Sequence, residues 1–125
     1  MTRTAVIIDD SKFQRDMIER TINDWFDVVG KGTNGKNGLE LVEQNQPDVV
    51  TLDIMMPIMD GLEALSKIKQ NVPNTIVVMV TSVDQKEKMK EAARNGADGY
   101  VTKAFEREDL KQEFNDILDI NVHSQ

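Results

Sequence analysis

The chain has 125 residues, no cysteine, 39% hydrophobic and 30% charged side chains, and a formal net charge of −7. That length describes a single domain, residues 1–125, able to bury a core without staples, and the lack of cysteine excludes a disulfide framework and thiolate metal sites. No apolar run nears the ~18 residues of a membrane span, Met1-Thr2-Arg3 is not a signal peptide, and the acidic balance argues against broad contact with nucleic acid; a cytoplasmic protein acting on neither membrane nor nucleic acid is expected.

The first strand is Thr4 to Ile8, and it stops on two adjacent acids, Asp9 and Asp10. Ser11 is a plausible cap for a first helix in which Phe13, Met17, Ile18, Thr21, Ile22 and Trp25 recur at helical spacing. Val28 to Gly32 is a weaker, glycine-flanked strand. Asn34-Gly35 could turn a hairpin, but the next residues do not alternate, and Leu39, Leu41 and Val42 fit a second helix better. Val49 to Leu52 is a short β-branched run suited to a strand buried on both faces. It ends at Asp53, and Pro57 forbids its continuation. Asp60-Gly61 then supplies another turn, and Leu62, Leu65 and Ile68 stripe a third helix.

Thr75 to Val80 is the strongest strand signal and runs into Thr81 and Ser82. A charged helix from about Gln85 to Asn95 follows, with Met89, Ala92 and Ala93 expected inward and Gly96 as its stop. Gly99 to Thr102 is the last strand, closed by Lys103; Phe105, Leu110, Phe114, Ile117 and Leu118 line a final helix, and the tail from Asn121 is expected to fray. Strands alternating with helices predict an α/β fold: a five-stranded parallel sheet of order 2-1-3-4-5, doubly wound and flavodoxin-like, flanked by five helices.

In that order the polar strand ends fall on one edge, at Asp9, Asp10, Asp53, Thr81, Ser82 and Lys103. Three crowded carboxylates oppose joint ionisation, and a hard divalent cation removes the conflict. Mg²⁺ suits oxygen ligands. Zinc does not fit, since the sole histidine, His123, lies in the tail. Lys103 and Thr81 then form an oxyanion clamp, Asp53 is the acid free to attack, and Asp9 and Asp10 hold the metal. Met55, Met56 and Met59 near the site are expected to fill gaps in the loop core.

The segments Ile8-Asp9-Asp10-Ser11, Leu52-Asp53-Ile54-Met55-Met56-Pro57, Asp60-Gly61, Thr81-Ser82, Gly96-Ala97 and Lys103 with Phe105 together resemble the receiver domains of two-component response regulators along nearly the whole chain. The resemblance implies that Asp53 accepts a phosphoryl group from the phosphohistidine of a histidine kinase, with Lys103 and Thr81 assisting. It implies Mg²⁺ on Asp10, Asp53 and the Met55 backbone carbonyl, with Asp9 acting through water. Thr81 and Tyr100 match the family's switch pair. The module would be a signalling protein promoting only its own phosphorylation and dephosphorylation. Its output would be the surface of the fourth helix, fifth strand and fifth helix, including Lys86, Lys90, Tyr100 and Lys111.

Departures from the pattern carry their own expectations. Ala104 stands where the family has a proline after a cis bond, so a trans Lys103–Ala104 bond is expected. Met55 and Val83 are apolar where they could otherwise position an attacking water, so a long-lived aspartyl-phosphate is expected, barring a phosphatase. The chain ends after the fifth helix, which suggests a single-domain, diffusible regulator. Its segments look most like chemotaxis members, whose partner is the flagellar motor switch. The alternatives are a receiver excised from a DNA-binding regulator and a haloacid-dehalogenase-type phosphatase, which would want an acid where Met55 stands. A flavodoxin-like electron carrier would find its phosphate repelled by Asp9 and Asp10.

Overall fold

The computed structural model describes residues 3–82 and 84–118. Five strands, β1 (Thr4–Ile8), β2 (Asp27–Gly32), β3 (Val49–Leu52), β4 (Ile76–Thr81) and β5 (Gly99–Thr102), alternate with α1 (Lys12–Ile22), α2 (Gly35–Asn45), α3 (Gly61–Asn71), α4 (Lys86–Arg94) and α5 (Arg107–Leu118). All strand pairings are parallel, in the order β2-β1-β3-β4-β5. The chain reverses its direction of winding between β1 and β3, where a crevice forms beyond the strands' carboxyl ends.

Because successive side chains point to opposite faces, each central strand feeds two cores. Ala5, Ile7, Val49, Val78 and Val80 pack with Ile18, Ile22, Leu110 and Phe114 of α1 and α5. Val6, Ile8, Val50, Leu52, Val77 and Met79 pack with Val42, Leu65, Ile68 and Ala92 of α2, α3 and α4. Phe26 and Phe114 meet at 4.8 Å between ring centroids with a 57° tilt, within the range favoured by aromatic pairs.

Side-chain caps fix the starts of α1, α2 and α3. Ser11 Oγ accepts from Gln14 N, and Asp60 Oδ1 accepts from Glu63 N. Asn34 and Asn37 form a reciprocal capping box, so Asn34-Gly35 opens a helix rather than a hairpin. Gly96, at φ +103°, follows α4 in the left-handed region that glycine tolerates.

Four expectations from helical spacing are corrected. Phe105 precedes α5, which begins at Arg107. Trp25 is buried but lies beyond the end of α1. Phe13 is 66% exposed, because α1 begins at the sheet's edge and its buried positions start at Ile18. Ala93 faces outward while Ala92 faces the core. The fraying expected from Asn121 concerns residues outside those described.

Candidate functional site

The site is assembled by the ends of β1, β3 and β5. The Asp53 backbone N–H donates to Ile8 O at 3.0 Å, so the sheet ladder itself sets the two acidic strand ends side by side. Asp9, Asp10 and Asp53 each offer a carboxylate oxygen, all within 4.8 Å of one another. Asp9 and Asp53 are buried, whereas Asp10 is exposed. Lys103 reaches across from the end of β5, its Nζ 3.0 Å from Asp9 Oδ2 and 3.1 Å from Asp53 Oδ2.

Backbone donors hold the carboxylates further. Ser11 N donates to Asp9 Oδ1 at 2.9 Å and Ile54 N to Asp53 Oδ1 at 2.8 Å. The Asp9 carbonyl accepts from Arg15 Nη1 at 2.7 Å. Behind Asp53, the Gly61 N–H donates to Ile54 O at 2.7 Å. A Cβ at Gly61 would run into the Asp53 carbonyl oxygen, so only glycine lets α3 start this close.

The electrostatics are unbalanced. Burial pushes the Asp9 carboxyl above its ordinary range; the Asp53 charge adds to this, and the Ser11 N–H and Lys103 oppose it. Burial disfavours the Lys103 ammonium, but Asp9 and Asp53 outweigh it and raise the lysine above its usual value. Ion pairing at 3.0 Å does not align a hydrogen bond on Asp9 Oδ2. That atom and Thr51 Oγ1 are the buried side-chain oxygens left without a hydrogen-bond partner among the described residues. Three carboxylates against one ammonium leave two negative charges uncompensated when all are ionised. An all-oxygen donor set with that excess fits a small divalent cation.

The remaining candidate residues occupy the same edge. Thr81 is buried at the end of β4 and its carbonyl accepts from Lys103 N at 2.8 Å. Met55, two residues beyond Asp53, is 52% exposed instead of filling the loop core, while Met56 and Met59 pack beneath. The Lys103–Ala104 bond is trans. Val83 lies outside the described residues.

Tyr100 is 60% exposed. With Ser82, Lys86, Met89, Lys90 and Ala93 it lines a groove of about 450 Å³ between β5 and α4. Lys111 is not part of that surface. Its stem is buried against the core and its ammonium stands 3.8 Å from Glu108, as long basic side chains permit. The sequence reading missed Arg15, whose helical position marks only a surface side chain. It also missed Ile58, which adopts φ +72° although nothing in its identity signals a left-handed residue.

A parallel α/β sheet with an acid cluster and a bridging lysine at its switch point defines a recognisable class of module. The chain belongs to the response regulator receiver domain family, which it matches over residues 5–115. It is 37% identical over 118 residues to the chemotaxis protein CheY of Halobacterium salinarum, covering 94% of this chain and 98% of that protein. The nitrate/nitrite response regulator protein NarL of Escherichia coli is 38% identical across 86% of this chain and 50% of its own length. Among solved structures, the CheX–CheY–BeF₃–Mg complex from Borrelia burgdorferi superposes with a TM-score of 0.88 at 25% identity, covering 93% of this chain and 89% of that one. Among the described residues, no helix is long and apolar enough to cross a membrane.

Proposed function

We propose that the chain is the phosphoacceptor of a two-component pathway, acting in the cytoplasm, with Asp53 receiving a phosphoryl group from a phosphohistidine on a histidine kinase. The observation that supports this most is the placement of Asp53 at a central strand end, 3.1 Å from Lys103 and among two further acids. An Asp53 carboxylate oxygen attacks phosphorus; the P–N bond breaks, and its electron pair returns to the donor imidazole. Asp10, Asp53 and the Met55 carbonyl would hold Mg²⁺, with Asp9 acting through water. The ion, when bound, supplies positive charge to the transferring phosphoryl oxygens.

Lys103 does the same work from the protein side. It is already held between two carboxylates, so formation of the phosphoryl group draws it towards a new anion without crossing a solvent gap. Thr81 offers its hydroxyl to another phosphoryl oxygen, and Tyr100 follows it inward, reshaping the groove against α4. A swing from 1:99 to 99:1 between two states requires about 5.5 kcal/mol of differential stabilisation. The partner of that groove is a protein. Similarity to several CheY proteins over most of their length favours a chemotaxis role with the flagellar motor switch as target. Acetyl phosphate with Mg²⁺ tests the acceptor assignment: wild type should gain one phosphoryl group, and Asp53→Asn should gain none.

A further inference from the structure

Asp10 is the least supported of the three clustered acids. It is exposed, and its carboxylate makes no hydrogen bond or ion pair among the described residues. Lys103 pairs with Asp9 and Asp53 instead. Both of those acids are buried and lie within 4.8 Å of it, so their charges push Asp10 outward. Its direction is therefore set by its backbone. The peptide plane before Asp10 is fixed at the Asp9 carbonyl, which accepts from Arg15 Nη1 at 2.7 Å. The plane after it is fixed at the Ser11 N–H, which donates to Asp9 Oδ1 at 2.9 Å. Those two planes define φ and ψ at Asp10, and with them the direction of its Cα–Cβ bond.

Helix α1 gains little from Arg15 on its own account. Helical side chains lean towards the N-terminus, so a residue one turn in can reach back over the preceding loop. A cation there opposes the helix dipole, and α1 has no acid in its first turn to offset it. Arg15 joins no ion pair among the described residues; its guanidinium goes to a backbone carbonyl.

We propose that Arg15 is a positioning residue for the cation: it locks the Asp9–Asp10 peptide so that the Asp10 carboxylate stays turned towards Asp53. This rests on the reading of Asp10 and Asp53 as holders of a divalent ion. Two effects of the one side chain then have opposite signs. The guanidinium charge repels a cation, so a purely coulombic role would tighten the site when Arg15 is neutralised. The hydrogen bond keeps a ligand in place, so a positioning role weakens the site instead. Groups that orient metal ligands govern affinity by about 10–100-fold.

The test is a Mg²⁺ titration of the unphosphorylated protein at constant ionic strength, followed by amide NMR shifts. Arg15→Met should bind Mg²⁺ about tenfold more weakly than wild type. Arg15→Lys keeps the charge and a donor without the planar fork, and should fall between the two. Loading by acetyl phosphate should need more Mg²⁺ in Arg15→Met by the same factor. At saturating Mg²⁺ its rate should return to within about twofold of wild type. Equal or tighter Mg²⁺ binding by Arg15→Met overturns the assignment. So does an Arg15→Lys as weak as Arg15→Met, because the donor would then not be what holds Asp10. Absence of Mg²⁺ binding by wild type overturns the cation reading itself.

Discussion

Replacing Lys103 with methionine isolates the electrostatic problem that the site contains. The side chain keeps its stem and loses the ammonium placed between Asp9 and Asp53. At an effective dielectric near 20, each of the two contacts, at 3.0 and 3.1 Å, has a gross attraction of about 5 kcal/mol. Desolvating the ammonium offsets several kcal/mol of that sum. The net loss is expected near 3 kcal/mol, in the range found when one partner of a buried pair is removed. For a domain of 125 residues this lowers Tm by about 10–15 °C. The assay is thermal and urea unfolding at pH 7.5 in EDTA.

The pH dependence supplies the sign. The folded Asp9 carboxyl sits above its ordinary value of 3.8, so the native state binds a proton more readily than the unfolded one. Cation-free protein therefore gains stability as pH falls through the folded value, and stops gaining below 3.8. Without the lysine this gain should be larger and begin at higher pH. Lys103 itself is raised above 10.5; its contribution is complete below that value and is lost as pH rises through the folded one. Added Mg²⁺ should narrow the gap between variant and wild type. If Lys103→Met melts no lower than wild type in EDTA at pH 7.5, the acids are not held together by that lysine and the charge argument fails.

Other outcomes follow from the packing. Gly61→Ala would place a Cβ against the Asp53 backbone carbonyl; overpacking of this kind costs about 1–3 kcal/mol, and chemical denaturation together with slower acetyl phosphate loading should show both effects. Arg107 stacks 4.7 Å over the Trp25 ring and also binds Thr21 O and Asp24. Arg107→Ala should cost about 1 kcal/mol and shift Trp25 emission, read by fluorescence-detected urea unfolding. The aspartyl-phosphate should persist for minutes or longer, because Met55 offers no group to position an attacking water; phosphate release after removal of donor measures it, and Met55→Glu should alter the rate.

The sheet was legible because strands buried on both faces read as β-branched runs, and each run here stops abruptly on a polar residue. Asp9, Asp53, Thr81 and Lys103 could thus be placed on one edge before any coordinates. Ser11 marked the start of its helix equally well, whereas Asn34 and Asp60, each followed by glycine, read as turn residues although each satisfies an N–H that its helix cannot. Spacing alone misled at Phe13 and Ala93, where a helical stripe gives direction but not how far the core extends. Lys111 misled in the opposite sense, because a long stem can be buried while its charge pairs with Glu108. Ile58 was illegible for a different reason: its backbone is imposed by the anchored turn around it, against the preference of its own side chain. The Asp9–Lys103 pair also could not be read from strand ends, which say that groups share an edge but not which of them touch.

The most direct measurement is the intact mass of the protein after incubation with acetyl phosphate and Mg²⁺. Wild type should gain roughly 80 daltons, one phosphoryl group. Asp53→Asn, treated identically, should stay at its starting mass. An unmodified wild type, or an adduct that survives in Asp53→Asn, would contradict the assignment of Asp53 as acceptor.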